Sequence, residues 1–309
     1  MDKCPICHSQ SKIKSTLQND YIRSSLSDYY KKVIPEDMLI LNYELFECDK
    51  CSLQFANPLI PGDSNFYKWI SVQEEYYPIK RWEFDLIANF LMKNKSNVDI
   101  LDVGCGSGNF LELLNFIKGR VVGIDITENS ILECTRKGIE AYCIDAGEFF
   151  VPTTNRFDYI VSFHCLEHVS DPLYFVKSML KGLKTNGSTF LSTPYSPMSF
   201  EAGWFDPLNN PPHHMTRWNK KSYIQLAKEV NCNIHFFYPP VNSFIVRAIN
   251  ALSFSKKGLK RANNQLGKFI TILQNPLEFI SHIVIQLKRE KPNGKSAPDS
   301  VLVQLVRKD

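Results

Sequence analysis

The fold is decided by the stretch ILDVGCGSG at residues 100–108. A short apolar run ends at an acid, Asp102, and three glycines follow with GxGxG spacing: Gly104, Gly106 and Gly108. Glycines after a strand let a ligand lie directly on the backbone where the next helix begins. The spacing differs from the GxGxxG dinucleotide fingerprint, because Asn109 occupies its third glycine position. The stretch therefore predicts a strand followed by a ligand-binding loop.

Short apolar runs alternate with amphipathic segments around this glycine loop. Strands are expected at residues 99–103, 120–125, 140–144, 157–163 and 188–193, with helices between them, as at 107–117 and 128–137. Such alternation produces a mostly parallel sheet with helices on both faces. Ligands of these sheets bind beyond the carboxyl ends of the strands, which is where the glycine loop lies.

Three further motifs strengthen the interpretation: VVGIDI at 121–126, CIDA at 143–146 and FDYIVSFHCLEHVSDP at 157–172. Together with the glycine loop they resemble class I S-adenosylmethionine-dependent methyltransferases over residues 100–171. The resemblance implies an α/β, Rossmann-like sheet of seven mostly parallel strands, with the last strand antiparallel and helices on both faces. Residues 233–239 and 301–307 are expected to supply its last two strands.

The resemblance also implies a cofactor site. Asp102 and Gly104 would face the methionine part of S-adenosylmethionine, and Asp125 would receive the ribose hydroxyls. Asp145 and Ala146 would receive the adenine. An aspartate at a strand end is also a common turn or helix-cap residue, but three acids in register with a glycine loop favour the cofactor. The candidate cofactor-binding residues are Asp102, Gly104, Gly106, Gly108, Asp125, Ile126, Asp145, Ala146, Phe163 and His164.

Histidines occur in two places where a methyl acceptor would lie. His168 follows the fourth core strand, and His213 and His214 lie in NNPPHHMTRW, after the fifth. The second segment resembles a PPHH…W pattern of methyltransferases associated with surface polysaccharide and other small-molecule pathways. Since histidine can take up a hydroxyl proton near neutral pH, we predict a histidine general base, with His213 ahead of His214 and His168 in reserve. The alternative is a structural loop whose histidines bind backbone carbonyls.

The stretch LEH at residues 166–168 resembles part of the ubiquinone-pathway O-methyltransferases. In a catechol-type enzyme, Glu167 and His168 could help to bind a divalent cation. Two ligands are too few to define such a site, and a helix-capping Glu167 beside a packed His168 is the alternative.

Two CxxC pairs predict a metal site near the N-terminus. Cys4 and Cys7 form the first pair, and Cys48 and Cys51 form the second. Each pair is a tight turn that directs two thiolates to one point, and four thiolates complete a tetrahedron around structural Zn²⁺. We therefore interpret residues 1–62 as a zinc-ribbon-like module with a helix near residues 24–33. Its expected roles are substrate recognition, covering of the active site or dimerisation.

The formal net charge of +4 excludes a strongly basic protein that coats nucleic acid. Residues 256–295 carry nine Lys and Arg against two Glu, so the rest of the chain is slightly acidic. We predict a basic helical insertion at about residues 243–297, between the last two strands. Its residues 243–291 would either contact a membrane or lipid-linked substrate or form a solvated helical pair used in a homodimer.

The remaining five cysteines are scattered along the chain, which favours a reducing compartment over a disulfide scaffold. No apolar secretory segment follows Met1. The expected location is the cytoplasm, with peripheral membrane contact through the insertion.

The predicted division is a module at 1–62 and a methyltransferase domain at 63–309 with a lid helix within 63–95, where Tyr76 or Tyr77 would cover the cofactor. The predicted function is O-methylation of a small-molecule hydroxyl, such as a sugar of a cell-surface glycan or its precursor. One alternative is a ribosomal-RNA or other nucleic-acid methyltransferase that uses the ribbon for recognition, although residues 1–62 are near neutral in charge. The non-enzymatic alternative is a degenerate methyltransferase fold that serves as a binding module.

Overall fold

The structure is a computed structural model, and it describes residues 3–73, 76, 78–94, 97–202, 204–240, 242–257, 265–289, 291 and 298–308. The strands in these ranges are β1 Ser11–Leu17, β2 Tyr43–Cys48, β3 Gln54–Asn57, β4 Ile100–Val103, β5 Val121–Asp125, β6 Ala141–Cys143, β7 Phe157–Phe163, β8 Leu183–Pro194, β9 Thr216–Arg217, β10 Cys232–Phe237 and β11 Ser300–Arg307. The helices are α1 Asn19–Tyr30, α2 Ser64–Ser71, α3 Trp82–Asn94, α4 Glu128–Arg136, α5 Ala146–Phe149, α6 Pro172–Gly182, α7 Lys220–Glu229, α8 Phe244–Lys257, α9 Gln265–Gln274 and α10 Pro276–Lys288. Short 3-10 helices lie at Leu111–Leu114, Leu166–His168 and Pro207–Asn209.

Seven strands form the central sheet in the order β10-β11-β8-β7-β4-β5-β6. Strands β4 to β8 are parallel, whereas β11 runs antiparallel to both of its neighbours. The predicted fold class, a Rossmann-like class I methyltransferase sheet, is confirmed.

The central strands are buried on both faces, because each face carries its own apolar cluster. Leu101 and Ile160 belong to one cluster, and Ile100 and Val161 belong to the other. Adjacent residues of a strand point to opposite faces of the sheet, so continuous apolar runs are needed when helices cover both faces. Apolar continuity is the property that makes these strands recognisable in the sequence.

A second sheet joins the N-terminal residues to a distant loop. Its order is β1-β2-β3-β9, and β9 lies within the long loop at residues 194–219. The residue pairs Gln54–Arg217 and Phe55–Thr216 connect β3 to β9, and Met215 is buried in the same apolar cluster as Phe66. The N-terminal sheet thus extends across the boundary predicted at residue 62 and holds the loop that carries the PPHH motif.

The helix predicted at residues 107–117 is wrong, and only a 3-10 turn at Leu111–Leu114 is present. Gly108 has a φ of +77°, and a Cβ there would lie 2.7 Å from Ile139 Cδ1. This left-handed residue interrupts the helical path directly after the glycine loop. The N-terminal helix also begins and ends earlier than predicted, because Lys31 takes up a left-handed conformation that terminates α1.

Helices α8, α9 and α10 lie between β10 and β11, and residues 258–264, 290 and 292–297 of the predicted insertion lie outside the described residues. Arg247 of α8 is buried and donates to Gln286 Oε1 of α10 at 3.2 Å. The outer faces of α9 and α10 expose large apolar side chains: Phe269, Ile270, Leu273, Leu277, Ile280, Val284 and Leu287. Among the described helices, none combines the length and apolarity that a transmembrane span requires.

Candidate functional site

A cavity of about 700 Å³ opens at the carboxyl ends of the parallel strands. Its size lies in the usual range for small-molecule and cofactor sites. One end is lined by the glycine loop and the predicted acids, and the other by histidines and tyrosines. The cavity brings together these predicted residues: Asp102, Gly104, Gly106, Asp125, Ile126, Asp145, Ala146, Phe163, His164, His168, His213 and His214.

Asp125, at the end of β5, fixes the glycine loop. Its Oδ2 accepts a hydrogen bond from the Gly106 N–H at 2.9 Å, and its Oδ1 accepts one from the Thr127 N–H at 2.8 Å. Burial raises the pKa of Asp125, whereas these N–H groups act in the opposite direction. Gly108 does not line the cavity, but its φ of +77° shapes the loop.

Asp102, at the end of β4, is buried and lines the cavity. Its Oδ1 has no hydrogen-bond partner among the described residues. Burial first, and the charge of Asp125 second, raise the pKa of Asp102 well above its ordinary value. A buried carboxyl oxygen without a partner fits a ligand that brings a hydrogen-bond donor or a positive charge.

The other predicted cofactor residues lie around the same end. Asp145 accepts a hydrogen bond from the Gly147 N–H at 2.7 Å and so caps α5. Phe163 packs against Phe84 and Phe110, with ring centroids 5.0 and 4.8 Å away. Phe163 therefore contributes to the apolar core as well as to the cavity wall.

His164 lies between two buried carboxylates. Its Nε2 is 3.1 Å from Glu83 Oε1, and its Nδ1 is 3.4 Å from Glu167 Oε1. Burial and the nearby Arg81 oppose protonation, but the two carboxylates outweigh them and raise the pKa of His164. Arg81 and Glu83, near the start of α3, were missed in the sequence, because one acidic and one basic residue at a helix start are also typical of a solvent-exposed surface.

Three histidines form a compact cluster at the other end of the cavity. The ring centroids of His168 and His213 are 4.4 Å apart, and those of His213 and His214 are 4.8 Å apart. Each ring offers one nitrogen, and these three nitrogens lie within 4.8 Å of one another. Burial lowers the pKa of all three rings, most strongly those of His213 and His214, which keeps them neutral near pH 7. The structure thus brings together the three histidines predicted as candidate bases, and we call them the histidine cluster.

Tyrosines from the N-terminal third of the chain line the cavity, and two of them, Tyr67 and Tyr76, contact the histidine cluster. Tyr29 and Tyr30 at the end of α1, together with Tyr67 and Tyr76, line the cavity. The Tyr76 hydroxyl lies 3.2 Å from His213 Nε2, and Tyr77 lies outside the described residues. Burial raises the pKa of Tyr30, so its hydroxyl stays protonated. Tyr29 and Tyr30 were missed as site residues, because nothing in the spacing of α1 indicates which partner it faces.

The four N-terminal cysteines converge as the two CxxC pairs predicted. The Cys4 and Cys51 sulfurs are 3.6 Å apart, and those of Cys7 and Cys48 are 3.5 Å apart. The Ile6 and Cys51 N–H groups donate to sulfurs of this group, at 3.5 and 3.4 Å. A tetrahedral zinc ion with bonds of about 2.3 Å requires sulfurs about 3.8 Å apart. We call Cys4, Cys7, Cys48 and Cys51 the cysteine quartet; of the other five thiols, Cys143 is exposed.

A profile of the methyltransferase domain matches residues 74–235, more than half of the chain. The chain belongs to this methyltransferase family. The matched range contains the whole glycine loop, the three acids and the histidine cluster. The family predicted from the motifs is therefore confirmed.

Curated relatives of this chain include ubiquinone biosynthesis O-methyltransferases. That of Leptothrix cholodnii is 30% identical over 137 residues, which cover 41% of this chain and 58% of the relative. That of Idiomarina loihiensis is 36% identical over 101 residues, which cover 30% of this chain and 41% of the relative. The chain thus spans about two to three fifths of the length of these relatives.

A solved structure with a similar fold is the complex between the Trm112 methyltransferase activator of Haloferax volcanii and a methyltransferase. It superposes with a TM-score of 0.52 at 13% identity, covering 79% of this chain and 96% of that chain. At this identity the similarity shows the fold alone.

Proposed function

We propose that the protein is an S-adenosylmethionine-dependent methyltransferase that acts on a hydroxyl group of a small molecule. One observation carries the proposal: the histidine cluster opens into the same cavity as the glycine loop and the three acids. A methyl donor and an acceptor bound at the two ends would therefore meet within one cavity, which supplies the orientation that the reaction needs.

Residues at the glycine-loop end fit the cofactor. The carboxyl oxygen of Asp102 that lacks a partner suits a donor group of its methionine part, and the Asp125 carboxylate suits the ribose hydroxyls. We expect Asp145 and Ala146, which line the same cavity, to receive the adenine. When bound, S-adenosylmethionine supplies an already activated methyl group, so the protein has to orient an acceptor and remove its proton.

The histidine cluster is suited to that proton removal. The three rings are neutral, so each keeps a nitrogen lone pair that can accept a hydroxyl proton. Both ring nitrogens of His213 have partners, Leu208 O at 2.9 Å and the Tyr76 hydroxyl at 3.2 Å. His213 was the first choice from the sequence, but these contacts favour a role shared with His214 and His168.

The acceptor class has two candidates. The sequence predicts a sugar hydroxyl of a glycan or its precursor, whereas the names of the relatives point to O-methylation in ubiquinone biosynthesis. The tyrosines that line the cavity can pack against either a sugar or a phenol ring. Turnover against matched panels of nucleotide sugars, lipid-linked glycans, catechols and RNA would identify the acceptor, and methylated RNA would favour the nucleic-acid alternative.

We also propose that the cysteine quartet holds a structural zinc ion. Three of the four thiols are buried, and the sulfur separations lie close to those of a tetrahedral site. Four protein ligands leave no open position for chemistry. The zinc would therefore stabilise β1, β2 and β3, and through β9 the acceptor side of the cavity.

We also propose that residues 243–291 contact a membrane peripherally or form a homodimer. The cytoplasmic location and the lid within residues 63–95 are further proposals. The exposed apolar side chains of α9 and α10, such as Leu273 and Leu277, indicate a surface that is covered by a membrane or by a second protein chain. Flotation of the protein with anionic vesicles and light scattering would test membrane contact and dimerisation separately.

Calorimetric titration with S-adenosylmethionine tests the proposed function. We expect binding to the wild-type protein and a loss of at least tenfold in affinity in Asp125→Ala, because this variant removes the ribose partner and the support of Gly106. Asp28→Ala, at an exposed aspartate of α1, is the matched control and should bind normally. Absence of heat in the wild type would refute the proposal, and binding without turnover on any acceptor panel would favour the degenerate binding module.

A further inference from the structure

The hydrogen bonds of the histidine cluster fix which nitrogen of each ring carries the proton. His168 Nδ1 lies 2.7 Å from the His213 carbonyl oxygen, and His213 Nδ1 lies 2.9 Å from the Leu208 carbonyl oxygen. A carbonyl oxygen can only accept, so Nδ1 of both rings is the donor. The lone pair of each neutral ring is therefore on Nε2.

His214 follows the same rule through a side chain. Its Nδ1 lies 3.1 Å from Asn209 Oδ1. The orientation of that amide is fixed, because Asn209 Nδ2 donates to Glu201 Oε1 at 2.8 Å. All three histidines thus donate Nδ1–H to an oxygen and keep Nε2 as the electron-pair donor. This arrangement is typical of metal-binding histidines, whose second nitrogen is held by an oxygen acceptor.

A buried carboxylate lies beside the cluster. Glu167 is 1% exposed, and its Oε2 has no hydrogen-bond partner among the described residues. Its Oε1 is 4.0 Å from His214 Nε2 and 3.4 Å from His164 Nδ1. His164 pairs with Oε1 and Arg81 supplies further positive charge, but Oε2 of Glu167 still lacks a hydrogen-bond partner among the described residues. Burying a carboxylate in this way costs free energy unless a cation or donor binds it.

Three imidazole nitrogens and one carboxylate are a donor set that suits first-row transition metals. A metal–nitrogen bond of about 2.1 Å places the ligands of a tetrahedron about 3.4 Å apart. One nitrogen from each ring lies within 4.8 Å of the others, so the rings have to approach by no more than about 1.4 Å to reach tetrahedral separations. The site also opens into the cavity, which gives an ion access and leaves room for a further oxygen ligand.

We propose that His168, His213, His214 and Glu167 bind a divalent transition-metal ion of the zinc and cobalt class at the acceptor end of the cavity. A hydroxyl held by such an ion loses its proton more readily than a free hydroxyl does. The ion would thus orient the acceptor and replace a single histidine base. This role in the reaction rests on the proposed function, whereas the binding of the ion does not.

Cobalt(II) titration of the purified full-length protein tests the site. We expect one equivalent of Co²⁺ to bind without thiolate-to-cobalt charge-transfer absorption, which distinguishes it from binding at the cysteine quartet. The double variant His168→Ala/His214→Ala should lose this equivalent, and His235→Ala, at an exposed histidine of β10, should retain it. Absence of the equivalent in the wild type, or its retention in the double variant, would overturn the proposal.

Proton NMR of the cobalt-loaded wild type gives a second readout that needs no variant. Because each histidine would bind the ion through Nε2 and keep its Nδ1–H, we expect three strongly shifted signals that disappear in deuterium oxide. Cysteine ligands carry no such exchangeable protons. A spectrum without these three signals would refute the site even if the double variant fails to fold. Cobalt binding without S-adenosylmethionine binding would leave the site standing and refute the proposed function.

Discussion

The cysteine quartet and the histidine cluster are two groups of soft or borderline ligands in one chain, but they differ in geometry. Three sulfur pairs of the quartet lie 3.5–3.9 Å apart, close to the separation in a filled tetrahedral site. The nitrogens of the histidine cluster lie within 4.8 Å of one another, and they face a cavity. The quartet is thus closed around one point, whereas the cluster is open on the side of the proposed acceptor.

The origin of the two groups also differs. The quartet comes from two tight turns that lie next to adjacent strands, so its geometry is local. The histidine cluster combines a 3-10 helix after β7 with a loop before β9, and it depends on long-range pairing. The closed quartet, which is built from local turns, is suited to stabilising the fold. The open histidine cluster, which is assembled from distant segments, is suited to chemistry in the cavity.

Cys48→Ser should give the largest effect. Structural zinc sites contribute on the order of 10 kcal/mol of binding free energy to folding, so we expect loss of zinc, protease sensitivity in residues 1–62 and no turnover. Zinc content and limited proteolysis measure this, with Cys143→Ser at an exposed thiol as control. Full zinc content in Cys48→Ser would contradict the structural role of the quartet.

His168→Ala/His214→Ala should leave the fold intact and impair only the reaction. We expect kcat to fall by about 10²–10⁴-fold, the range of general acid–base catalysis, with unchanged affinity for S-adenosylmethionine. Steady-state kinetics and calorimetry separate the two effects, and His235→Ala should behave as wild type. Equal loss of cofactor affinity and kcat would show that the cluster supports the whole cavity rather than the acceptor.

The loop that carries two residues of the histidine cluster should also respond to pH through a buried carboxyl group. Burial raises the pKa of Asp206, which precedes the 3-10 helix Pro207–Asn209, from 3.8 to about 6. Because the folded state binds the proton more tightly, this group contributes stability below pH 4, and the contribution is lost as the pH rises through about 6.

Asp206→Asn removes this titration and keeps an acceptor for the Leu208 N–H. We expect the variant to match the wild type at pH 4 and to gain up to about 3 kcal/mol of unfolding free energy at pH 7. Denaturant unfolding at the two pH values measures the difference. A gain that is the same at both pH values would contradict the shifted pKa.

Tyr76→Phe should give the smallest effect, and it should strengthen metal binding rather than impair the protein. The Tyr76 hydroxyl competes for His213 Nε2 with any ion. Because one hydrogen bond contributes about 1 kcal/mol, we expect cobalt to bind about fivefold more tightly to the variant. Weaker binding would instead mean that the tyrosine oxygen supports the ion. Phe in place of Tyr21, an exposed tyrosine of α1, should change nothing.

The sequence predicted most of what depends on neighbouring residues. The strand at residues 157–163 coincides with β7, because continuous apolar residues are typical of a strand buried on both faces. The cysteine quartet followed from CxxC spacing for the same local reason. The helix predicted at residues 107–117 failed, because the left-handed Gly108 is a tertiary requirement of the glycine loop and leaves no periodic pattern.

What the sequence did not predict depends on contacts between distant segments. His168 and His213 were each identified as candidates, but their contact arises from a loop held by β9. Glu83 reaches His164 and Tyr30 reaches the cavity, both from helices whose packing partners lie far along the chain. Neither residue stands in a motif, so only the fold assigns it to the site.

The pairing of β3 with β9 has a consequence for engineering the protein. The Phe55–Thr216 pair lies two residues from His214. We therefore expect residues 1–62 and the loop at residues 194–219 to be exchangeable with those of a relative only when both are exchanged together. We expect a chimaera that exchanges only residues 1–62 with a relative to lose the shape of the acceptor side. A chimaera that exchanges residues 1–62 and 194–219 together should transfer acceptor preference while the cofactor half stays unchanged.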